Sequence, residues 1–174
     1  MVKMIGRGFI GLIAILTLLL TPIGANQRAH ASSQDASCVK RITISLARER
    51  LRAWCGHSVV LVSPVTTGNS TLPTPAGHFR IFAKRSPYTF ISPWPKGNSK
   101  WYPTSKVSYA MEFLGGGYFI HDAPWRGVYG KGSNSSGPPG TNYGGTHGCV
   151  NIPYWAARYL YYWARMGISV HIVH

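Results

Sequence analysis

The residues of this sequence best suited to chemistry are one cysteine and two histidines near the carboxyl end of the chain. Cys149 is the last of three cysteines, and it follows His147 by two residues in the stretch GGTHGCVNIP. A cysteine attacks as a thiolate, so it needs a base to take its proton. His147 is too close along an extended chain to reach the sulfur easily, whereas His121 ends a predicted strand and can approach from across a sheet. We predict Cys149 as a nucleophile, His121 as its general base, and His147 as a positioning or oxyanion-binding group.

Zinc binding is the competing use of these side chains, because histidine, cysteine and aspartate are all zinc ligands. The candidate set of His121, Asp122, His147 and Cys149 has no recognised ligand spacing. We therefore expect no metal and no other cofactor. The remaining histidines are predicted to be structural, namely His57, His78, His171 and His174.

Most of the chain around these residues has the pattern of short antiparallel strands. Apolar and polar residues alternate over 41–46, 51–54 and 58–62, as they do in strands with one buried face. The pattern predicts a mainly β fold. Further strands are predicted at 78–83, 108–113, 117–121 and 168–173.

One segment is predicted to be an amphipathic helix, at about 153–166, directly after the cysteine motif. Asn151 is placed to cap the start of this helix, and Gly167 is placed to end it. Cys149 would then lie beside the positive end of the helix dipole, which favours the thiolate. The apolar residues that recur at the spacing of one helix face are Ala156, Tyr159, Leu160 and Trp163.

The first residues predict a secretory signal peptide. Lys3 and Arg7 precede an almost wholly apolar run from Phe9 to Leu20, and Ala29 and Ala31 have the spacing of a signal-peptidase site. An uncleaved membrane anchor is the competing interpretation, but the run is shorter than the roughly 20 residues of a spanning helix. We expect a signal peptide over 1–31, a short linker over 32–37 and one domain over 38–174.

The two other cysteines are predicted to form a disulfide. In an oxidising compartment Cys38 and Cys55 are free to pair, which leaves Cys149 as the free thiol. If the strands 42–46 and 51–54 form a hairpin, the two cysteines lie at the same end of it. Their separation is then suitable for a bridge.

The charge of the chain predicts an acidic partner. The sequence has 18 Lys and Arg against four Asp and Glu, and only Lys3, Arg7 and Arg28 lie in the predicted leader. No zinc-finger spacing, RNA-recognition signature or basic helix is present, so we expect no nucleic acid. An anionic cell-wall polymer fits this charge better. A basic surface that only keeps the protein soluble is the alternative.

The motifs resemble those of a known family. THGCVN, residues 146–151, with a histidine at the end of YFIH, residues 118–121, resembles the catalytic signature of the L,D-transpeptidases, which carry the YkuD-type domain. Upstream, ISLARERLRAWCG resembles their opening hairpin, and PVTTG with PTPAGHFRI resembles a loop and strand of the family. The likeness covers nearly everything after Cys38. The stretch between His121 and Thr146 is longer than is usual for the family, and its segment 130–145, rich in Gly, Ser, Pro and Asn, is predicted to be a lengthened flexible loop beside the active site.

The resemblance implies a β-sandwich or barrel-like fold with the cysteine at the floor of a groove. Cys149 would attack the carbonyl of the diamino acid at the third position of a peptidoglycan stem and expel the terminal D-alanine. The side-chain amine of a neighbouring stem would then resolve the thioester, which cross-links two third residues. The backbone N–H groups of Gly148 and Cys149, with His147, would stabilise the oxyanion.

The resemblance also implies a setting for the protein. We expect it to be exported, and extracellular or associated with the cell wall, or periplasmic where the source has an outer membrane. We expect a monomer that binds donor and acceptor stems and whose Cys149 is acylated by a carbapenem. Three alternatives remain open: hydrolysis of the thioester by water, as in an L,D-carboxypeptidase; anchoring of a protein to the wall; and an inactive wall-binding module.

Several side chains near the motif are candidates for substrate binding. The competing interpretation is that they pack the walls of an aromatic groove. At Asp122 the resemblance implies that the backbone carbonyl orients the imidazole of His121. For the side chain of Asp122 three alternatives are open: it has no effect on the site, it adds a hydrogen bond, or it faces away. The binding candidates are Tyr118, Trp125, Arg126, Tyr143 and Thr146.

Overall fold

The computed structural model describes residues 38–135 and 144–174. The predicted signal peptide, 1–31, and linker, 32–37, lie outside the described residues. Within the described part of the chain, no helix is both long enough and apolar enough to span a lipid bilayer. The elements in chain order are β1 (Lys40–Ser45), β2 (Arg50–Cys55), β3 (Ser58–Pro64), β4 (Gly77–Arg80), β5 (Ala83–Arg85), β6 (Tyr88–Phe90), β7 (Ser105–Val107), β8 (Ala110–Leu114), β9 (Tyr118–Asp122), β10 (Val150–Ile152), α1 (Tyr154–Trp163) and β11 (Ser169–Val173).

The first layer is a five-stranded sheet in the order β3-β2-β1-β11-β4. β11 lies between β1, to which it is parallel, and β4, to which it is antiparallel. Alternate residues of these strands are fully or almost fully buried, as in Ile42, Ile44, Leu51 and Val170. One face of the sheet therefore packs into the core and the other faces solvent.

The second layer is a four-stranded sheet in the order β10-β9-β8-β5. β10 pairs with β9 in parallel, so the chain between these two strands crosses over before it reaches the cysteine motif. The apolar side of α1, which includes Ala156 and Leu160, packs into the same core as the first sheet. A separate hairpin of β6 and β7 stands beside this sheet. The mainly β fold with one helix after the cysteine motif is confirmed.

The helix is shorter than predicted, and its cap is not the predicted one. It ends at Trp163 because Ala164 adopts an extended conformation, and the Lys84 ammonium donates to the carbonyls of Tyr161 and Ala164. A cation at this position satisfies carbonyls that the helix leaves unpaired. The prediction that Asn151 caps the helix is wrong, since Asn151 belongs to β10 and the N-cap is Pro153, without a side-chain cap hydrogen bond.

A buried acid fixes the turn between β1 and β2 to the rest of the molecule. Glu49 is 1% exposed, and its carboxyl group accepts hydrogen bonds from the N–H and the hydroxyl of Thr67 and from Asn134 Nδ2. Its backbone carbonyl accepts from the N–H of Val65 at 2.9 Å. Burial raises the pKa of Glu49 to about 7, although the hydrogen bonds from Thr67 oppose this shift.

We predict that Glu49 makes the stability of the fold fall as the pH rises. Its pKa in the folded state, about 7, exceeds its ordinary value of 4.5, so the folded state keeps a proton that the unfolded state releases. The stabilisation is complete below the ordinary pKa and is lost as the pH rises to about 7. The loss is at most about 3 kcal/mol. Urea unfolding at several pH values between 4.5 and about 7 should show that this fall in the free energy of unfolding is absent from Glu49→Gln.

The matched control is Glu112→Gln, which changes a carboxyl group on the other sheet. This variant should keep the pH-dependent loss of the parent protein. The same pH dependence in Glu49→Gln and in the parent would show that Glu49 is not protonated in the folded state.

The opening hairpin is closed by a disulfide between Cys38 and Cys55, whose Cα atoms are 5.2 Å apart. Cys149 is the free cysteine of the described chain. A bridge over a sequence separation of 17 residues should stabilise the domain by roughly 3 kcal/mol in the chain-entropy model.

We expect the intact mass of the non-reduced protein to show the loss of two hydrogens and one alkylatable thiol. Peptide mapping should place that thiol at Cys149. Three free thiols, or a bridge that includes Cys149, would contradict the pairing.

Candidate active site

The pairing of β9 with β10 brings the predicted nucleophile and base together. His121 lies opposite Asn151, and Val150 lies opposite Ile120. Because side chains alternate between the faces of a strand, His121 and Cys149 lie on one face of the sheet, while Ile120 and Val150 enter the main core. The parallel register thus places the sulfur and the imidazole on the same side of the sheet, where both line one groove.

This face forms the floor of a groove of about 620 Å³. Its walls come from the β6–β7 hairpin and from the loop 91–104 between these strands, which supply several aromatic rings. Residues 86–103 were recognised from the sequence only as a Pro-rich stretch, although their many aromatic residues could have indicated a wall of this kind. The aromatic residues that line the groove are Tyr88, Phe90, Trp94, Tyr102, Phe119 and Trp125.

His121 is oriented by a backbone carbonyl. Its Nδ1 atom lies 2.7 Å from the carbonyl oxygen of Asp122. Since a carbonyl oxygen only accepts, Nδ1 carries the hydrogen and Nε2 keeps a free lone pair. Burial lowers the pKa of His121 to about 4, despite the opposing effect of the Asp122 carbonyl. The imidazole is therefore neutral at ordinary pH and able to accept a proton.

The carboxylate of Asp122 binds backbone groups of a neighbouring turn and not the imidazole of His121. It accepts hydrogen bonds from the backbone N–H groups of Ser108, at 3.0 Å, and Tyr109, at 2.7 Å. These bonds fix the turn between β7 and β8 beneath His121. Of the three alternatives for this side chain, the structure selects the one in which it faces away.

Cys149 is a neutral thiol in this structure. Its Sγ donates to the carbonyl of Gly117 at 3.3 Å, and within residues 38–135 and 144–174 the sulfur makes no hydrogen bond with His121. Burial raises the pKa of Cys149 to about 12. The predicted thiolate at a helix N-terminus is wrong, because β10 separates Cys149 from the start of α1. A nucleophilic role for Cys149 would therefore require transfer of its proton to a base, for which His121 is the candidate.

Two threonine hydroxyls hold the loop that presents Cys149. Thr146 Oγ1 donates to the carbonyl of Cys149 at 2.5 Å and accepts from the N–H of Gly148 at 3.0 Å. Thr74 Oγ1 donates to the carbonyl of Gly148 at 2.9 Å. The N–H of Gly148 is thus committed to Thr146, which contradicts its predicted role as an oxyanion donor. The backbone N–H of Cys149 itself remains the candidate donor.

Gly148 also has a steric reason to be glycine. Its φ is +108°, and an added Cβ would lie 2.6 Å from the ring of Tyr118. Tyr118 belongs to the core face of β9, since Phe119 and His121 occupy the groove face. The prediction that Tyr118 binds substrate is therefore wrong, and its ring packs behind the cysteine loop instead.

The other predicted binding residues divide into three groups. Trp125, Thr146 and His147 line the groove, and burial lowers the pKa of His147, which favours its neutral form. Arg126 is 5% exposed and donates to the carbonyl of Gly144 at 2.6 Å. It fixes the chain before the cysteine motif rather than facing the groove, so its predicted binding role is wrong. Tyr143 lies outside the described residues.

The described residues include no group of three or more His, Cys, Asp or Glu side chains arranged to hold a metal ion. The chemistry available at the site is that of a thiol, a neutral imidazole and backbone N–H groups. These groups suit acyl transfer through a covalent intermediate.

Comparison with known proteins agrees with this chemistry. A model of the L,D-transpeptidase catalytic domain, the YkuD family, matches residues 39–172. A search of curated protein sequences found no match.

Solved structures of L,D-transpeptidases superpose on the chain. A cysteine-to-serine mutant of the Enterococcus faecium L,D-transpeptidase gives a TM-score of 0.65 at 26% identity, covering 76% of this chain and 49% of that one. An L,D-transpeptidase from Mycobacterium smegmatis gives 0.65 at 22% identity, with coverages of 79% and 60%. The E. faecium catalytic domain acylated by ertapenem gives 0.59 at 24% identity, with coverages of 78% and 98%. The chain therefore spans 49% and 60% of the first two relatives.

We predict that the two histidines near Cys149 have separable effects on its reactivity. Alkylation by iodoacetamide near neutral pH should slow by roughly 100-fold in His121→Ala, because the base that takes the thiol proton is lost. His147→Ala should keep more of the rate, since the predicted role of His147 is to stabilise the oxyanion and the sulfur is hydrogen-bonded to Gly117. Equal alkylation rates for the parent and His121→Ala would reject the pairing of His121 with Cys149.

Proposed function

Because the chain belongs to the L,D-transpeptidase family, which is defined by the YkuD catalytic domain, we propose that it is an exported enzyme that cross-links peptidoglycan stems between their third-position diamino acids. The reaction passes through a thioester on Cys149. The observation that carries this proposal is the position of Cys149 beside a neutral His121 on the floor of the groove.

The first half-reaction acylates the cysteine. The sulfur attacks the carbonyl carbon of the third residue of the donor stem while its proton passes to Nε2 of His121. The backbone N–H of Cys149 and the ring of His147 stabilise the oxyanion. The bond to the terminal D-alanine then breaks, and the proton on His121 leaves with the amine of that D-alanine. The result is a thioester and a neutral imidazole.

The second half-reaction transfers the acyl group to a neighbouring stem. The side-chain amine of the acceptor loses a proton to His121, attacks the thioester and forms an amide, and the thiol is restored with the proton from His121. The aromatic wall of the groove favours an amine that binds there over water from the solvent. This wall supports transpeptidation over hydrolysis.

The proposed location is outside the cytoplasmic membrane, in the cell wall or the surrounding medium, or in the periplasm of a source with an outer membrane. Two features support it. The leader sequence has the pattern of a signal peptide, and the Cys38–Cys55 disulfide suits an oxidising compartment.

We predict that the purified mature protein converts a defined disaccharide-tetrapeptide into a dimer with the loss of one D-alanine. Mass spectrometry of the products should show a link between two third residues. Cys149→Ala should reduce this rate by at least about 1000-fold, because the attacking atom is gone. A carbapenem should add its mass to the parent protein and not to this variant.

The products also separate the alternative activities. A tripeptide without the dimer would identify an L,D-carboxypeptidase. Turnover by Cys149→Ala above background would reject the cysteine mechanism, and no product from a folded parent protein would favour an inactive wall-binding module.

A further inference from the structure

The solvent face of the five-stranded sheet concentrates positive charge. The residues that alternate with the buried ones in β1, β2, β4 and β11 point away from the core. A row across these strands runs from Arg52 through Thr43 and His171 to His78, and the rings of the two histidines stack at 3.8 Å. We call this surface the arginine face. Its arginines are Arg41, Arg50, Arg52 and Arg80, and its histidines are His78 and His171.

No Asp or Glu side chain among the described residues neutralises the arginine face. Glu49 is buried beneath the β1–β2 turn, and Asp122 is buried at the end of β9. Glu112 lies in β8, on the other sheet, where Arg85 is 3.9 Å away. Asp35, the remaining acid, is outside the described residues. Positive charges that lie close together without acids attract a partner with repeated negative charges.

Contacts with the backbone and with a tryptophan hold two of these arginines. The guanidinium of Arg41 lies over the ring of Trp54, at 4.7 Å from its centre, and donates to the carbonyl of Gly56 at 2.6 Å. Trp54 Nε1 donates in turn to Thr43 Oγ1 at 2.9 Å. Arg80 donates to the carbonyl of Gly167 at 2.8 Å. Side chains that are already ordered lose less entropy when they bind a ligand.

We propose that the arginine face binds a linear polymer with repeated phosphodiester groups. Residues two apart on a strand are roughly 7 Å apart, and neighbouring strands are about 5 Å apart. Several charges of one polymer would therefore contact the face at once, whereas a small anion would contact one or two. The planar guanidinium of arginine matches the oxygens of phosphate in two parallel hydrogen bonds.

A polymer fits the arginine face better than a lipid surface does. Proteins that lie on membranes insert exposed aromatic and aliphatic side chains between the headgroups. On this face Trp54 lies beneath Arg41. The exposed aliphatic residues are valines at the rim of the sheet: Val39 just before β1, Val59 and Val62 in the edge strand β3, and Val173 at the end of β11. The groove is formed by other strands, so a bound polymer would leave it open to stem peptides.

The test uses labelled poly(glycerol phosphate) and the purified mature protein, with binding followed by fluorescence anisotropy. We expect binding that weakens steeply as the salt concentration rises. Arg50→Gln with Arg52→Gln should raise Kd about tenfold or more, and should reduce the slope of log Kd against log salt by about 2. Arg80→Gln, on a different strand, should also raise Kd.

The matched control removes the same charge from another surface. Arg158→Gln with Arg165→Gln changes two exposed arginines in and just after α1 and should leave Kd almost unchanged. An equal effect of both double variants would show that only net charge matters and would overturn the proposal. So would a parent protein that does not bind the polymer, or that prefers vesicles of equimolar phosphatidylcholine and phosphatidylglycerol.

Binding of the polymer is independent of the proposed catalytic reaction. Cys149→Ala should bind poly(glycerol phosphate) as tightly as the parent protein does, although it forms no cross-links. Loss of polymer binding in Cys149→Ala would overturn the assignment to the arginine face.

Discussion

The placement of Cys149 depends on the burial of one carboxyl group in the first hairpin. Glu49 holds Thr67 through two hydrogen bonds. Thr67 accepts from the N–H of Thr146 at 2.9 Å, and Thr66 forms a bridge with Asn151. These two contacts lie on either side of Cys149 in the sequence, so they hold the backbone of the loop that carries the sulfur. Hydrogen bonds therefore connect Glu49, the segment of Thr66 and Thr67, and the loop of Cys149, although the three are far apart in the sequence.

Burial also sets the protonation of the two candidate catalytic groups, the Cys149 thiol and the His121 imidazole. It raises the pKa of the thiol and lowers the pKa of His121, so both groups are uncharged before substrate arrives. An uncharged pair is stable in an aromatic groove, where an exposed thiolate and imidazolium would lose hydration. The Asp122 carbonyl keeps Nε2 of His121 available throughout. The hydrogen bond that fixes the tautomer of His121 therefore orients the site, and no thiolate–imidazolium ion pair is present before substrate binds.

The sequence predicted that Cys149 and His121 share one site because strand alternation and the position of His121 at a strand end are local features. It did not predict the face on which Tyr118 lies, since a shift of one residue in register reverses that choice. It assigned the helix cap to Asn151 because nothing in the local pattern shows that Asn151 pairs with Thr66. The buried states of Glu49 and Arg126 were missed for a related reason: partners distant in sequence decide whether a charged residue is buried.

The position of β11 determines when the domain can assemble. This strand comes last among the described elements, yet it lies between β1 and β4 in the middle of the first sheet. Until residues 169–173 have been synthesised, β1 and β4 have no neighbour to join them, and the inner face of the sheet has a gap at its centre. Contacts that span nearly the whole domain slow folding, because a long loop must close before they form. Most of the domain would thus leave the ribosome before its central sheet could be completed, so folding of the domain is expected to wait until β11 has emerged.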